Sequence, residues 1–214
     1  MNIVTNGKIL FLGEEDSPSL KWLRCIGEPV IQTANKIESS FIQNENVVFL
    51  ISHGYRHILR KNILDQLQNR AINLHISLLP WNKGADPNFW SFVDNTPKGV
   101  TIHYLDTGID TGDIIIQQEI VFNSSRETLA TTYHQLQVAI QNLFKENWKS
   151  IKNGSCSRRP QQSKGSFHKQ KDKVALNHLL NKDWDTSIAT LQSNIAKGAD
   201  PLLLRPNQIP AKRP

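Results

Sequence analysis

Asn73-Leu74-His75 is the densest polar set at a predicted strand end in this chain. Side chains at i and i+2 of a strand leave the same face, so Asn73 and His75 project together. A carboxamide beside an imidazole suits acyl transfer. The amide donates to a developing oxyanion, and the imidazole takes a proton or holds an ionic partner. A strand-borne Asn and His can equally be structural. A second feature is the pair of tripeptides Asp106-Thr107-Gly108 and Asp110-Thr111-Gly112. Asp-Thr-Gly also marks aspartic proteases, but those need two carboxylates from symmetric halves sharing one proton. Two copies within one loop do not supply that symmetry. A turn whose aspartates bond the local backbone is the plainer alternative.

The elements around these residues alternate. Residues 8–12, 29–33, 46–52 and 71–77 read as strands, with helical patterns between, at 20–26 and 58–67. Ser17 or Asp16 offers a cap ahead of Pro18. Strand-helix alternation implies parallel pairing with right-handed crossovers, hence an open, mostly parallel α/β sheet of Rossmann-like form. Ligands of such sheets bind beyond the carboxyl ends of the strands, which is where Asn73 and His75 fall. From residue 99 the pattern becomes a β-hairpin whose loop spans residues 106–112. Ser124 and Glu127 have capping-box spacing and predict the start of a long helix. Residues 153–166 show no apolar pattern and read as a linker. Helical patterns at 174–180 and 188–195 follow, and the last 14 residues, with four prolines, should be extended or disordered. This gives a catalytic domain over 1–152 and a linker with a basic C-terminal extension over 153–214.

Composition narrows the classes. The chain has 214 residues and a formal net charge of +6. Residues 151–214 carry a net of +8 and the rest −2, so a near-neutral body bears a basic tail. Such a tail is either a solvated surface or a seat for phosphate. The longest apolar run, residues 47–51, is far short of the roughly 20 residues a membrane span needs. No signal peptide is expected in residues 1–15. Cys25 and Cys156 cannot form a disulfide framework, so a cytoplasmic location is expected. No metal is expected, because no His or Cys cluster has ligand spacing.

The run His75-Ile76-Ser77-Leu78-Leu79-Pro80, with Asn73 before it and Asp110 35 residues after His75, resembles the folate-dependent formyltransferase family. That family includes glycinamide ribonucleotide transformylase, methionyl-tRNA formyltransferase and the sugar N-formyltransferases. The resemblance extends over roughly residues 8–150. It implies Asn73, His75 and Asp110 as the catalytic set, with Asp106 the fallback carboxylate, and 10-formyltetrahydrofolate as the formyl donor. By the same similarity the pterin lies between the backbone of Tyr55, Arg56, His57 and Leu59 and the loop of Tyr104, Leu105 and Asp106.

The acceptor amine is narrowed by three comparisons. Gly13-Glu14-Glu15-Asp16 is a poor phosphate cradle, which disfavours a glycinamide ribonucleotide. Methionyl-tRNA enzymes carry a further C-terminal barrel of about 100 residues, for which the tail leaves little room. The stretch 80–90 resembles the sugar-enzyme branch. There Trp81 or Phe89 can wall an amino sugar, Lys83 can meet phosphate and Asp86 a hydroxyl. In the tail, Phe167 can stack on a base and Lys169 can meet a diphosphate. The expectation is N-formylation of a UDP- or dTDP-linked amino sugar, a 4-amino-4,6-dideoxy sugar of a surface or flagellin glycan, by an enzyme often dimeric. The rivals are a methionyl-tRNA formyltransferase-like enzyme, a formyltetrahydrofolate hydrolase, and a non-catalytic RNA-binding module built on the basic tail.

Overall fold

The apolar runs become the strands of one twisted sheet. A computed structural model describes residues 7–198. The proline-rich last 14 residues and the first six lie outside the described residues. The strands in chain order are β1 (Lys8–Leu12), β2 (Val30–Thr33), β3 (Val47–Ser52), β4 (Ala71–His75), β5 (Lys83–Gly84), β6 (Gly99–Tyr104), β7 (Ile114–Glu119) and β8 (Phe167–His168). Six form the main sheet in the order β2-β1-β3-β4-β6-β7, while β5 pairs with β8. The four leading strands run parallel. The β6–β7 hairpin adds two antiparallel strands, the first lying directly against β4.

Period-two alternation sorts the core into two layers. Ile9 and Phe11 of β1 point to one face, where they meet α1 (Pro18–Cys25) and the long α5 (Leu129–Lys152). Leu10 and Leu12 point to the other, against α2 (Ser39–Asn44) and α3 (Lys61–Leu67). Among the described residues no helix is long and apolar enough to cross a membrane.

Several elements differ from the sequence reading. The stretch between β5 and β6, for which the sequence predicts no helix, contains α4 (Pro87–Val93), entered through Asp86 in a left-handed conformation at φ 50°. Phe89, Trp90, Phe92 and Val93 leave this helix apolar on nearly every side, so it must be buried. A third cluster covers it with Leu179, Ile188 and Leu191 from a 3-10 helix (Gln170–Leu179) and α6 (Ile188–Lys197). The segment 174–180, read as an α-helix, belongs to that 3-10 helix. The long helix opens at Thr128, not at Ser124: Thr128 and Thr131 exchange side-chain-to-backbone bonds as the capping box. Ser17 occupies the cap position before Pro18 but makes no side-chain cap bond.

Residues 153–166 lack an apolar pattern, yet they are tied to the body. Arg159 exchanges two backbone hydrogen bonds with Ile114, and Arg158 pairs with Asp113. Ser166 and the residues after it then lie along β5. Polar bonds do the fastening, and polar bonds leave no periodic trace in a sequence.

Candidate active site

The final turn of β4 delivers the expected pair to one place. Asn73 and His75 leave the same face, and the hairpin loop brings Asp110 up to both. Asn73 Nδ2 donates to Asp110 Oδ1 at 3.1 Å, and His75 Nε2 lies 3.8 Å from Asp110 Oδ2. The Gly84 N–H donates to Asp110 Oδ2 at 2.8 Å. Only glycine serves there: φ is +87°, and a Cβ would stand 2.3 Å from the His168 carbonyl oxygen. Asp110 itself holds φ 53°, a conformation that Asp tolerates better than most residues and that clusters at functional sites. Asp106 plays a different part. Its carboxylate accepts from Gly108 N and Thr111 Oγ1 and so shapes the loop.

Register supplies a further member that the sequence reading lacked. β4 and β6 pair antiparallel with Asn73 opposite His103 and His75 opposite Thr101. His103 Nε2 therefore lies 3.3 Å from Asn73 Nδ2 and 3.4 Å from Asp110 Oδ1. Its Nδ1 donates to the Tyr104 carbonyl at 2.8 Å. The alternation of residues 100, 102 and 104 toward the core already put His103 on the opposite face. Only strand register could place it against Asn73.

Protonation states follow from burial and neighbours. Burial pushes the His75 imidazole below its usual range, the Asp110 carboxylate opposes this, and His103 adds to the depression. Burial alone would raise the Asp110 carboxyl. The adjoining His75 and His103 rings and the Gly84 N–H outweigh it and hold the group well below the usual carboxylate range. The resting site thus has an anionic carboxylate beside a neutral His75. Because Asn82 O can only accept, its 3.2 Å contact with His75 Nε2 puts the ring proton on Nε2 and the lone pair on Nδ1.

These shifts bear on stability. His53, hydrogen-bonded to Gln137 at 2.9 Å, is likewise depressed by burial, with Gln137 opposing. Both imidazoles take up protons more readily in the unfolded chain, near pH 6.5. The unfolded state then binds more protons, so stability rises with pH through this window and is lost as pH falls below about 6.5. The melting temperature should drop between pH 7 and pH 5.5, and less so in a His53→Gln variant. An equal drop in that variant would contradict the assignment of the slope to His53.

Around the set lies a cavity of about 890 Å³. Its wall includes Tyr55, Arg56, His57, Leu59, Leu105 and Asp106. Tyr104 is not part of that wall; its ring lies under the Arg158 guanidinium at 4.6 Å. The same wall includes Asp86, Ala130, Tyr133, Gln137, Gln170 and Trp184. Asp86 is the one expected acceptor residue found here, paired with Lys173 at 3.4 Å.

The remaining expected acceptor residues are placed elsewhere. Phe89 is fully buried in the α4 core and offers no face to a ligand. Lys83 is buried, and its ammonium donates to the Lys164 carbonyl at 3.0 Å instead of standing free for phosphate. Trp81 and Phe167 lie outside the cavity wall, Phe167 packing its ring against Gly84. Lys169 is exposed at the start of the 3-10 helix, where its backbone N–H is capped by Asp172. Among the described residues, no group of His, Cys, Asp and Glu is arranged to hold a metal.

An open α/β sheet thus carries a carboxamide, an imidazole and a carboxylate at its crevice. Residues 24–146 fit the family model for formyl transferases, and the chain belongs to that family. It is similar, at 47% identity and a TM-score of 0.82, to the formyltransferase PseJ from Anoxybacillus kamchatkensis. That match covers 86% of this chain and 97% of the other, whose crystal structure holds UDP-4,6-dideoxy-4-formamido-L-AltNAc and tetrahydrofolate. A 4-N formyltransferase from Francisella tularensis shares the fold at 24% identity and a TM-score of 0.69, over 88% of this chain and 85% of that one. A methionyl-tRNA formyltransferase from Thermodesulfovibrio yellowstonii is 31% identical over 84% of this chain. The chain spans 57% of that relative's length.

Proposed function

We propose that the protein transfers a formyl group from 10-formyltetrahydrofolate to the amine of a UDP-linked 4-amino-4,6-dideoxy sugar. The observation that carries this is the convergence of Asn73, His75 and Asp110 on the wall of one cavity of about 890 Å³, a volume in the range of small-molecule sites. The Anoxybacillus PseJ complex, which pairs a UDP-formamido sugar with tetrahydrofolate, supports this donor and this acceptor class.

The chemistry runs as follows. The neutral amine attacks the formyl carbon, a C–N bond forms, and the carbonyl oxygen becomes an oxyanion. Asn73 now divides its two N–H groups between Asp110 and His103. As negative charge builds on the formyl oxygen, one of these Asn73 N–H groups turns to donate to the oxyanion. Neutral His75 takes the proton shed by the attacking amine, and the Asp110 carboxylate at 3.8 Å stabilises the imidazolium as it forms. The intermediate collapses when the C–N10 bond of the folate breaks and N10 takes the proton that His75 had accepted, which returns His75 to its neutral form.

Tyr133 and Trp184, with ring centroids 6.1 Å apart, form an aromatic stretch of the cavity wall that we assign to the acceptor. They take the place in the acceptor site that Phe167 and Phe89 cannot fill. Loss of an aromatic stacking partner costs about 1–3 kcal/mol per base, so Trp184→Ala should raise the acceptor KM by roughly tenfold. The folate KM should stay unchanged. A shifted folate KM with an unshifted acceptor KM would place Trp184 on the folate side instead. The experiment that tests the reading as a whole is product analysis with folate donor and competing acceptors. Formylated sugar nucleotide is expected. Formylated methionyl-tRNA, or formate released without an acceptor, would replace it with the tRNA or the hydrolase reading.

A further inference from the structure

The family match ends at residue 146, yet two side chains beyond it brace the catalytic set from behind. Gln161 reaches under the hairpin loop, where its Nε2 donates to the carbonyls of Asp110 at 2.8 Å and Gly112 at 2.9 Å. Asp110 is left-handed at φ 53°, a backbone state that persists only when its surroundings over-determine it. The second brace is Ser166, buried against Asn82. Its Oγ accepts from Asn82 N at 2.8 Å and donates to Asn82 Oδ1 at 3.1 Å. Asn82 is fully buried, also left-handed at φ 54°, and presents its carbonyl to His75 Nε2 at 3.2 Å. The segment sits so closely that a Cβ on Gly165 would stand 1.8 Å from the Pro80 carbonyl oxygen.

We propose that Gln161 and Ser166 are positioning residues for formyl transfer, Gln161 fixing the loop that carries Asp110 and Ser166 fixing the carbonyl that orients His75. This rests on the reading that Asn73, His75 and Asp110 perform the transfer. Mere attachment of the segment is provided elsewhere, by the Arg159–Ile114 backbone pair and the Arg158–Asp113 ion pair. Gln161 and Ser166 instead bond Asp110 itself and the residue whose carbonyl accepts the His75 hydrogen bond. The tautomer of His75, with its lone pair on Nδ1, is therefore set by a carbonyl that the C-terminal segment holds still.

Gln161→Ala, Ser166→Ala and Arg159→Ala test this in the full-length chain. Arg159→Ala removes a tether of the same segment to Gln117 and touches neither Asp110 nor His75. Formyl transfer to the UDP-linked amino sugar should show kcat about tenfold lower in the first two variants. Both KM values should stay within about twofold of wild type, and Arg159→Ala should keep the wild-type kcat. In 15N-histidine NMR spectra, Ser166→Ala should move the His75 Nε2 resonance and its titration midpoint, and Arg159→Ala should not. Wild-type kcat in both Gln161→Ala and Ser166→Ala would overturn the proposal, as would an equal loss in Arg159→Ala. If Ser166→Ala does not fold, Gln161→Ala carries the kinetic test. A wild-type protein without transfer activity would sink the parent reading alone, and an unmoved His75 resonance in folded Ser166→Ala would sink the positioning role alone.

Discussion

Replacing His75 with alanine is expected to lower kcat by roughly 10²- to 10⁴-fold, the range for loss of a positioned general acid or base. Folate and acceptor KM should change little, because Tyr55, Leu105, Tyr133 and Trp184 remain in place on the cavity wall. The variant also leaves the buried Asn82 carbonyl without its donor, at a cost of about 1–3 kcal/mol. In a chain of this size that lowers the melting temperature by several degrees, roughly 2–4 °C per kcal/mol, without preventing folding. Single-turnover measurements with both substrates saturating separate the two effects. Wild-type kcat in a folded His75→Ala protein would remove the imidazole from the mechanism and leave Asn73 and His103 as the polar groups at the reacting carbon.

Asp110→Asn should be nearly as damaging. The amide keeps the size of the carboxylate but loses the charge that steadies the imidazolium, so kcat should fall by about 10²- to 10³-fold. The accompanying pH effect has a definite sign. Asp110 is the group that raises the His75 pKa against the burial that lowers it. Its removal lets burial dominate, so the acidic limb of the residual kcat profile should move to lower pH than in wild type. Asp106→Asn gives the contrast, since that carboxylate bonds only Gly108 and Thr111 of its own loop. Its expected effect is a raised folate KM with kcat close to wild type. If Asp106→Asn instead abolished turnover and Asp110→Asn spared it, the catalytic carboxylate would be the other one.

Much of the architecture was legible because it is written in periodicity. Ile9 to Leu12 alternates between two helical layers, residues 47–51 are a continuous apolar run, and α5 repeats its stripe over six turns. Asn73 and His75 were legible for the same reason, since strand parity puts them on one face. His103 was not, because parity says which face a residue takes, and only the register between β4 and β6 says which residue it meets. The acceptor side was harder. Pro87 and the polar residues around it read as a loop, whereas Phe89 to Val93 form a buried helix beneath the C-terminal segment. Aromatic type alone does not distinguish a core ring such as Phe89 from a cavity wall such as Trp184. The segment 153–166 carries its information in single hydrogen bonds at Arg159, Gln161 and Ser166, which no hydrophobic pattern announces.

Mass spectrometry of the sugar nucleotide after incubation with 10-formyltetrahydrofolate puts the joint role of Asn73, His75 and Asp110 to its most direct test. A UDP-linked 4-amino-4,6-dideoxy sugar should become the 4-formamido product with the wild-type protein, and product should form at least about a hundredfold more slowly with Asn73→Ala, His75→Ala or Asp110→Asn at matched, folded concentration. Undiminished product from any of these three variants would contradict the shared crevice chemistry on which the proposed transfer depends.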